Sequence, residues 1–255
     1  MALQPSMRGS TIFGVVLGAA LLVSLVNSLS GRGDERPRGS AQVVSETREV
    51  DAFSGVELSG IGDVTVSLGS KPSLEVSAPE NLLSLLQTRV DDDTLKIGVT
   101  RRARLSGGHA VSYRVVTPSL ARISLSGSGD VRAEAIAGDD VSLELSGSGD
   151  LYVGDLRAED LEVDMSGEGD MQLSGEAIEQ TVELSGVGDY RACALSSETA
   201  EVEVSGVGDA LVWATRTLGA EVSGVGSVRY RGEPEVDTDI SGVGSVSRSQ
   251  SCDRN

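Results

Sequence analysis

The chain from residue 121 to 246 repeats one pattern of apolar and polar positions. In each copy, apolar residues alternate with polar ones up to the motif Ser-Gly-X-Gly-Asp, whose last residue is Ser in the final two copies, and another apolar residue follows five positions after the first serine. Such alternation is typical of strands with one buried face, and the glycines indicate a tight corner between two strands. The copies begin at Ser126, Ser146, Ser166, Ser185, Ser205, Ser223 and Ser241, with an early copy at Ser59.

The spacing of these copies, 18 to 20 residues, predicts a solenoid. A unit of this length cannot bury its apolar face alone, but units stacked in register can. An antiparallel meander or barrel is the competing fold, but it would reverse alternate strands and scramble the apolar columns. The pattern therefore favours an all-β, right-handed parallel β-helix, with the handedness taken from the general rule for parallel crossovers.

The part from residue 48 to 120 is less regular and is predicted to form the N-terminal end of the same domain. A first coil is expected at 56–68. Ser77-Ala78-Pro79-Glu80 resembles a capping box, and the leucines after it predict a short helix at 79–88 that covers the end of the solenoid. Asp91-Asp92-Asp93 predicts a turn. Further strands are expected at 74–76, 94–99 and 111–117.

The two ends of the chain fall outside the repeat. Residues 1–30 contain one charge, Arg8, and an apolar run at 12–29, which predicts a signal peptide. An uncleaved inner-membrane anchor is the alternative, since the run is near the lower length limit for spanning a bilayer. Residues 31–47 are rich in Gly, Arg, Pro and Ser and predict a flexible linker, and 247–255 form a polar tail.

From residue 48 to 246 the chain resembles the putative auto-transporter adhesin, head GIN domain family. The resemblance is carried by Phe53-Ser-Gly-Val56, by the early corner at 59–63, by Asn81-Leu-Leu before Asp93-Thr-Leu95, and by the serial Ser-Gly-X-Gly corners. It implies a single-stranded right-handed β-helix, an exported protein and a role in the bacterial envelope. It brings no catalytic residues with it.

Charge and cysteine content narrow the choice of partners. The chain carries −18, and because residues 1–30 hold only Arg8, the remainder carries −19. Such a surface disfavours nucleic acid and anionic membranes as partners. Cys193 and Cys252 are the only cysteines; in an exported protein they are a candidate disulfide. They lie about three rungs apart, roughly 14 Å at strand spacing, so the tail would have to fold back.

The corner aspartates form the sharpest candidate site. Like charges about 5 Å apart repel by roughly 0.8 kcal/mol per pair in water, and Ca²⁺ bound along the ladder would relieve this repulsion. Alternatively, each carboxylate bonds a backbone amide in a local turn. The second role is favoured, because the last two copies carry Ser227 and Ser245 instead, so no metal or cofactor is expected. The ladder consists of Asp130, Asp150, Asp170, Asp189 and Asp209, with Asp63 in the early copy.

The residue between the two corner glycines is a candidate contact position. It is polar in the first regular coils and valine in the last four. If these valines point outward they form an apolar stripe for self-association or ligand contact; if they point inward they widen the core. A basic loop with Arg101, Arg102 and Arg104 is a second candidate surface. The valines are Val187, Val207, Val225 and Val243.

No arrangement of residues singles out an enzyme. His109 is the only histidine, it has no companion Cys or His nearby, and no serine is marked as its partner in a triad. The regular spacing leaves no room for the long loops with which polysaccharide-cleaving β-helices build a groove. We therefore expect a non-catalytic envelope protein that binds a protein or cell-surface ligand, or alternatively a structural spacer or assembly subunit.

Overall fold

The computed structural model describes residues 39–100 and 111–252, which form sixteen strands and one helical turn. The described chain is all-β, as predicted, and its strands belong to one hydrogen-bonded system. The elements are β1 (Val43–Arg48), β2 (Gly55–Leu58), β3 (Asp63–Leu68), β4 (Ser73–Pro79), α1 (Glu80–Leu83), β5 (Leu86–Asp91), β6 (Thr94–Val99), β7 (Ser112–Thr117), β8 (Arg122–Leu125), β9 (Val131–Leu145), β10 (Leu151–Met165), β11 (Met171–Leu184), β12 (Tyr190–Val204), β13 (Ala210–Val222), β14 (Val225–Arg231), β15 (Glu235–Ile240) and β16 (Val243–Arg248).

Strands β9 to β13 stack in parallel, and each runs from one corner to the next. Leu151 lies opposite Val131 on one side and opposite Met171 on the other, so residues at equivalent repeat positions are neighbours. The prediction that coils stack in parallel and in phase is therefore confirmed. The last coils divide the same path into two strands: β14 and then β16 continue one wall, and β15 continues the other. The handedness of the coil stays a prediction.

The N-terminal part joins the solenoid through two short parallel strands. β2 lies between β6 and β8, and β3 lies between β7 and β9. Antiparallel strands then line the outer side: β4 pairs with β7 and with β1, and β5 pairs with β6. β1 and β5 are thus the edge strands at this end.

The predicted helix at 79–88 is wrong in extent, because α1 is a single turn and Leu86 already belongs to β5. Residues 86–91 pair with β6 as a hairpin, whose turn at Asp92 and Asp93 has positive φ angles. The expected capping box does not form. The Ser77 hydroxyl instead lies 2.8 Å from the Ser45 hydroxyl in the neighbouring strand β1.

Regular structure also begins earlier than the predicted linker boundary, with β1 at Val43. The guanidinium of Arg48 in this strand donates to the carbonyl oxygens of Leu86 (2.9 Å) and Leu83 (3.2 Å) and pairs with Glu46 (3.1 Å). Because these carbonyls belong to β5 and to the end of α1, Arg48 ties both elements to the edge strand. Arg48 therefore fastens β1 to the neighbouring elements, while the outer edges of β1 and β5 have no strand partner among the described residues.

The core is a set of aliphatic columns, interrupted by one buried polar network. Tyr190 Oη donates to Gln180 Oε1 (3.2 Å), Gln180 Nε2 donates to Ser197 Oγ (2.6 Å), and Ser197 Oγ donates to the Trp213 carbonyl oxygen (3.1 Å). Gln180 stands in a column that is aliphatic in the adjacent coils, where its in-register neighbours are Leu161 and Ala200. The network ties β11, β12 and β13 together inside the solenoid.

Candidate contact surfaces

The four corner valines point outward and form one continuous row, here called the valine stripe (Val187, Val207, Val225 and Val243). Successive members are paired across the coils by parallel bridges or strand pairing, so they stand about 4.8 Å apart. Their exposed fractions are 55%, 52%, 53% and 73%. Isolated surface valines are ordinary, but four on successive rungs make an apolar strip that solvates poorly.

The corner aspartates form a ladder of hydrogen bonds between coils, not within single turns. Asp150 Oδ1 accepts the backbone N–H of Asp170 at 2.9 Å, and Asp170 Oδ1 accepts that of Asp189 at 2.9 Å. The same bond recurs from Asp63 to the amide of Ser227. The carboxylate thus replaces a backbone acceptor at the corner, where the ladder of strand hydrogen bonds is interrupted.

The backbone geometry of the last corners explains why serine can replace aspartate in the final two coils. The corner glycines of the earlier coils have positive φ angles, 143° at Gly149 and 159° at Gly208. Gly226 and Gly244 are not among the positive-φ glycines of the described chain, and β14 pairs with β16 without a break from Val225 to Tyr230. Direct strand pairing therefore replaces the carboxylate bond between the final two coils.

Arginines neutralise part of this ladder. Arg191 bridges Asp170 at 2.8 Å and Asp189 at 3.0 Å, and Arg132 pairs with Asp130 at 3.0 Å. Within the described residues, no cluster of three Asp, Glu, His or Cys side chains is placed to hold a metal ion. The carboxylates of the ladder are already used as acceptors for amides and arginines, so the geometry gives a structural role to them.

The wall formed by β8 to β13 and β15 carries a wide acidic surface. A column of carboxylates points outward between the buried aliphatic columns, as the alternation predicts. A hollow of about 460 Å³ on this wall is lined by Asp92, Asp140, Asp160 and Glu162, with Arg122 among them. The column consists of Glu144, Asp164, Glu183, Glu203 and Glu221.

The tail after β16 turns back along the solenoid and is fixed by a disulfide between Cys193 and Cys252, whose Cα atoms lie 5.5 Å apart. Ser249 N–H donates to the Tyr230 carbonyl at 2.7 Å on the way. The tail thereby spans the three-rung distance that a direct link cannot. The sequence alone could not show this path, because no periodic signal extends past β16.

Aromatic residues do not assemble into a binding platform in the part of the chain that the structure describes. Trp213 lies under the Arg231 guanidinium, 4.1 Å from the ring centroid, while Tyr190 is buried. Tyr113 is also buried, and its hydroxyl has no hydrogen-bond partner among the described residues. Burial raises the pKa of Tyr113 to about 12, against a smaller lowering by the Arg48 charge; burial also raises the pKa of Tyr190.

Several predicted features lie outside the described residues: the apolar run at 12–29, the arginines at 101, 102 and 104, and His109. Their roles stay predictions. Among the residues that are described, no helix is long and apolar enough to cross a membrane.

Comparisons with known proteins agree with this architecture. The profile of the "Putative auto-transporter adhesin, head GIN domain" family matches residues 52–234. A putative adhesin of Bacteroides fragilis with a crystal structure is 28% identical, with a TM-score of 0.80 over 84% of this chain and 100% of its own. No curated protein matches the sequence.

Two further crystal structures share the fold at lower identity. A putative adhesin of Parabacteroides merdae is 22% identical, with a TM-score of 0.67 over 84% of this chain and 99% of its own. A putative lipid binding protein of Parabacteroides distasonis is 21% identical, with a TM-score of 0.67 over 85% of this chain and 100% of its own.

Proposed function

Because the chain belongs to the family of the putative auto-transporter adhesin, head GIN domain, we propose that it is an exported, non-catalytic contact protein of the bacterial envelope. Its contact surface is the valine stripe. The four valines are each more than half exposed on consecutive rungs, and this single observation carries the proposal.

The fold does not require valine at these positions. The bridges that align the corners are made by backbone groups, and the same bridges occur where the residue is Ser128, Ser148 or Glu168. A side chain that is exposed and dispensable for folding is free to serve contact. The stripe is apolar, whereas the neighbouring wall is acidic. A partner with an apolar strip would therefore be stabilised by burying the valine stripe against its own apolar side chains.

A binding assay with matched variants tests this role. Beads coated with the exported protein are offered to envelope preparations of the source cell, and retention is compared for the wild type and for Val187→Ser, Val207→Ser and Val225→Ser combined. The control combines Glu144→Gln, Asp164→Asn and Glu183→Gln on the acidic wall. We expect the stripe variant to lose most of the retention and the control to keep it, with all three proteins folded by circular dichroism.

Two results would argue against the stripe. Equal retention by the wild type and the stripe variant would assign contact elsewhere, and loss only in the acidic-wall variant would assign it to that wall. Release of reducing sugar ends from envelope polysaccharide by the wild type would contradict the non-catalytic role.

A second candidate function is that of an assembly subunit. It is favoured by one observation, the unpaired edge of β16 at the C-terminal end among the described strands.

Export through a cleaved segment at 1–30, instead of anchoring by residues 12–29, belongs to the main proposal. Mass determination of the N-terminus of protein from native cells distinguishes the two.

A further inference from the structure

The C-terminal end of the solenoid presents an open strand edge. β16 pairs with β14 and with no other strand of the described chain. Val243 N–H donates to Gly224 O at 2.8 Å and Ser249 N–H donates to Tyr230 O at 2.7 Å. Since alternate residues of a strand point their amides to opposite sides, the backbone groups of Gly244, Val246 and Arg248 face away from β14.

Apolar side chains accompany this edge. Ile240 is 44% exposed, although the equivalent Val222 and Val204 in the two preceding coils are fully buried. Val243, at the start of β16, has the highest exposed fraction among the large exposed hydrophobic residues of the described chain, 73%. The final coil thus leaves open a surface that the next coil covers everywhere else.

The described chain does not cover this end itself. At the opposite end, the edge strand β1 carries the charged residues Glu46 and Arg48, which are paired with each other, and charges on an edge strand discourage pairing with another chain. At the C-terminal end, the disulfide between Cys193 and Cys252 draws the tail back toward β12, away from the free side of β16. An exposed edge with apolar neighbours is a template for pairing with another chain.

The sequence of β16 is complementary to itself in antiparallel pairing. With Val246 on a two-fold axis, Val246 faces Val246 of the second copy, Ser245 faces Ser247, and Gly244 leaves room for Arg248. The strand carries no carboxylate. In contrast, β15 would place Asp237 opposite Asp239 when paired with itself, which is unfavourable.

We propose that a second copy of this chain covers the C-terminal end, through antiparallel pairing of β16 with β16 across a two-fold axis. Val246 pairs with its own copy, and Gly244 pairs with Arg248 of the second copy on both sides of the axis. Each of these three pairs exchanges two backbone hydrogen bonds, about six in total. The contact is small by the standards of stable complexes, so dissociation in the micromolar range is expected. The proposal does not depend on the valine stripe having a ligand.

The acidic strand β15 gives the dimer a recognisable salt dependence. Because β14 and β15 both pair with β13, β15 lies one rung short of β16, and the two-fold axis leaves it three rungs, roughly 14 Å, from its own copy. At low ionic strength the Debye length exceeds this distance, so Asp237 and Asp239 oppose the association. Because salt screens this repulsion, we expect the dimer to tighten as ionic strength rises. Asp237→Asn with Asp239→Asn should tighten the dimer at low salt and weaken that dependence.

Analytical ultracentrifugation of the exported protein tests the proposal by charge exchange at one position. The chain is measured from about 1 to about 100 μM, a range that brackets a micromolar dissociation constant. Val246→Lys and Val246→Glu should each be monomeric, since like charges meet on the axis, and an equal mixture of the two should form dimers again. Val43→Lys, on an exposed valine of the opposite edge strand β1, is the matched control and should leave the dimer unchanged.

Each other outcome overturns the assignment. A wild type that is monomeric at every concentration and salt level would mean that no second copy covers this end. Dimers that survive in Val246→Lys, or that are lost in Val43→Lys, would place the contact elsewhere. Circular dichroism melts of every variant exclude misfolding, and recovery in the mixture shows that both single variants are folded.

Discussion

Substitutions of Asp150 separate two effects in the corner ladder, the hydrogen bond to a backbone amide and the repulsion between neighbouring carboxylates. Its carboxylate accepts the Asp170 amide at 2.9 Å, and it makes no ion pair among the described residues, so only that bond and its charged neighbours matter. Asp150→Ala removes both the acceptor and the charge. Asp150→Asn removes the charge but keeps an oxygen that can accept the amide.

The magnitude follows from the ladder spacing. A side-chain oxygen that accepts a backbone amide is worth about 1 kcal/mol, by analogy with helix capping. Asp130 and Asp170 would each repel Asp150 by roughly 0.8 kcal/mol in water at about 5 Å. Physiological salt reduces this to about half, and Arg132 and Arg191, which pair with these two neighbours, offset much of the remainder. The asparagine variant should therefore be about as stable as the wild type, and more stable than the alanine variant by about 1 kcal/mol.

Thermal unfolding of the oxidised protein measures this difference, which corresponds to roughly 2–4 °C in Tm for a domain of this size. Asp164 is the matched control, because it stands between Glu144 and Glu183 in register but accepts no backbone bond in the ladder. Its Asn and Ala variants should melt together. If Asp150→Asn were as destabilised as Asp150→Ala, the hydrogen-bond explanation of the ladder would be wrong.

Three further substitutions probe other parts of the solenoid. Gly167→Ala should lower stability by more than 3 kcal/mol, because a Cβ there would lie 2.2 Å from the Gly147 carbonyl oxygen, whereas Gly138→Ala, whose nearest atom is 3.2 Å away, should cost less than about 1 kcal/mol; urea unfolding compares them. Cys252→Ser opens a loop closed over 59 residues and should cost up to about 4 kcal/mol; a reductant should lower the Tm of the wild type to that of the variant and leave the variant unchanged. Tyr113→Phe should not lower stability at neutral pH, because the hydroxyl is buried without a partner among the described residues. Since the folded pKa of Tyr113 is raised to about 12, its contribution is fully present below the unfolded pKa near 10 and is lost as the pH rises toward 12; unfolding from pH 9 to 12 should show the wild type losing more stability than the variant.

Periodicity predicted the regular coils because each column position meets the same environment on every rung. The alternation around Leu143 and Leu145 repeats around Val163 and Met165, so one burial pattern serves all copies. The helix at 79–88 was wrong because local leucine spacing competes with strand pairing. Residues of β5 find a hairpin partner in β6, and a single-sequence pattern does not contain that partner.

The candidate site was predictable only in part. The sequence identified the valine column but could not orient it, because alternation does not carry through a Gly-X-Gly corner. The aspartate column was also visible, but its bond to the next coil depends on the bend at the glycines. The buried hydrogen bond between Gln180 and Ser197 was not predicted, although a glutamine in an otherwise aliphatic column indicates a buried hydrogen-bond partner.

The residues that determine folding differ from those that form the surface available to a partner. Folding depends on backbone bridges, corner glycines and inward columns, and these recur on rungs whose outer residue is Ser148, Glu168 or Val207. The outer residue therefore varies at little cost in stability. The change from polar residues to valine at this position along the axis therefore alters the surface and not the fold. A loss of binding in variants of the valine stripe would accordingly be due to lost contacts, not to misfolding. Val246 of β16 differs, because it stands in the inward column and packs against the core but has no following rung. Its substitution therefore affects both the last coil and association, and the mixture of Val246→Lys with Val246→Glu separates the two effects.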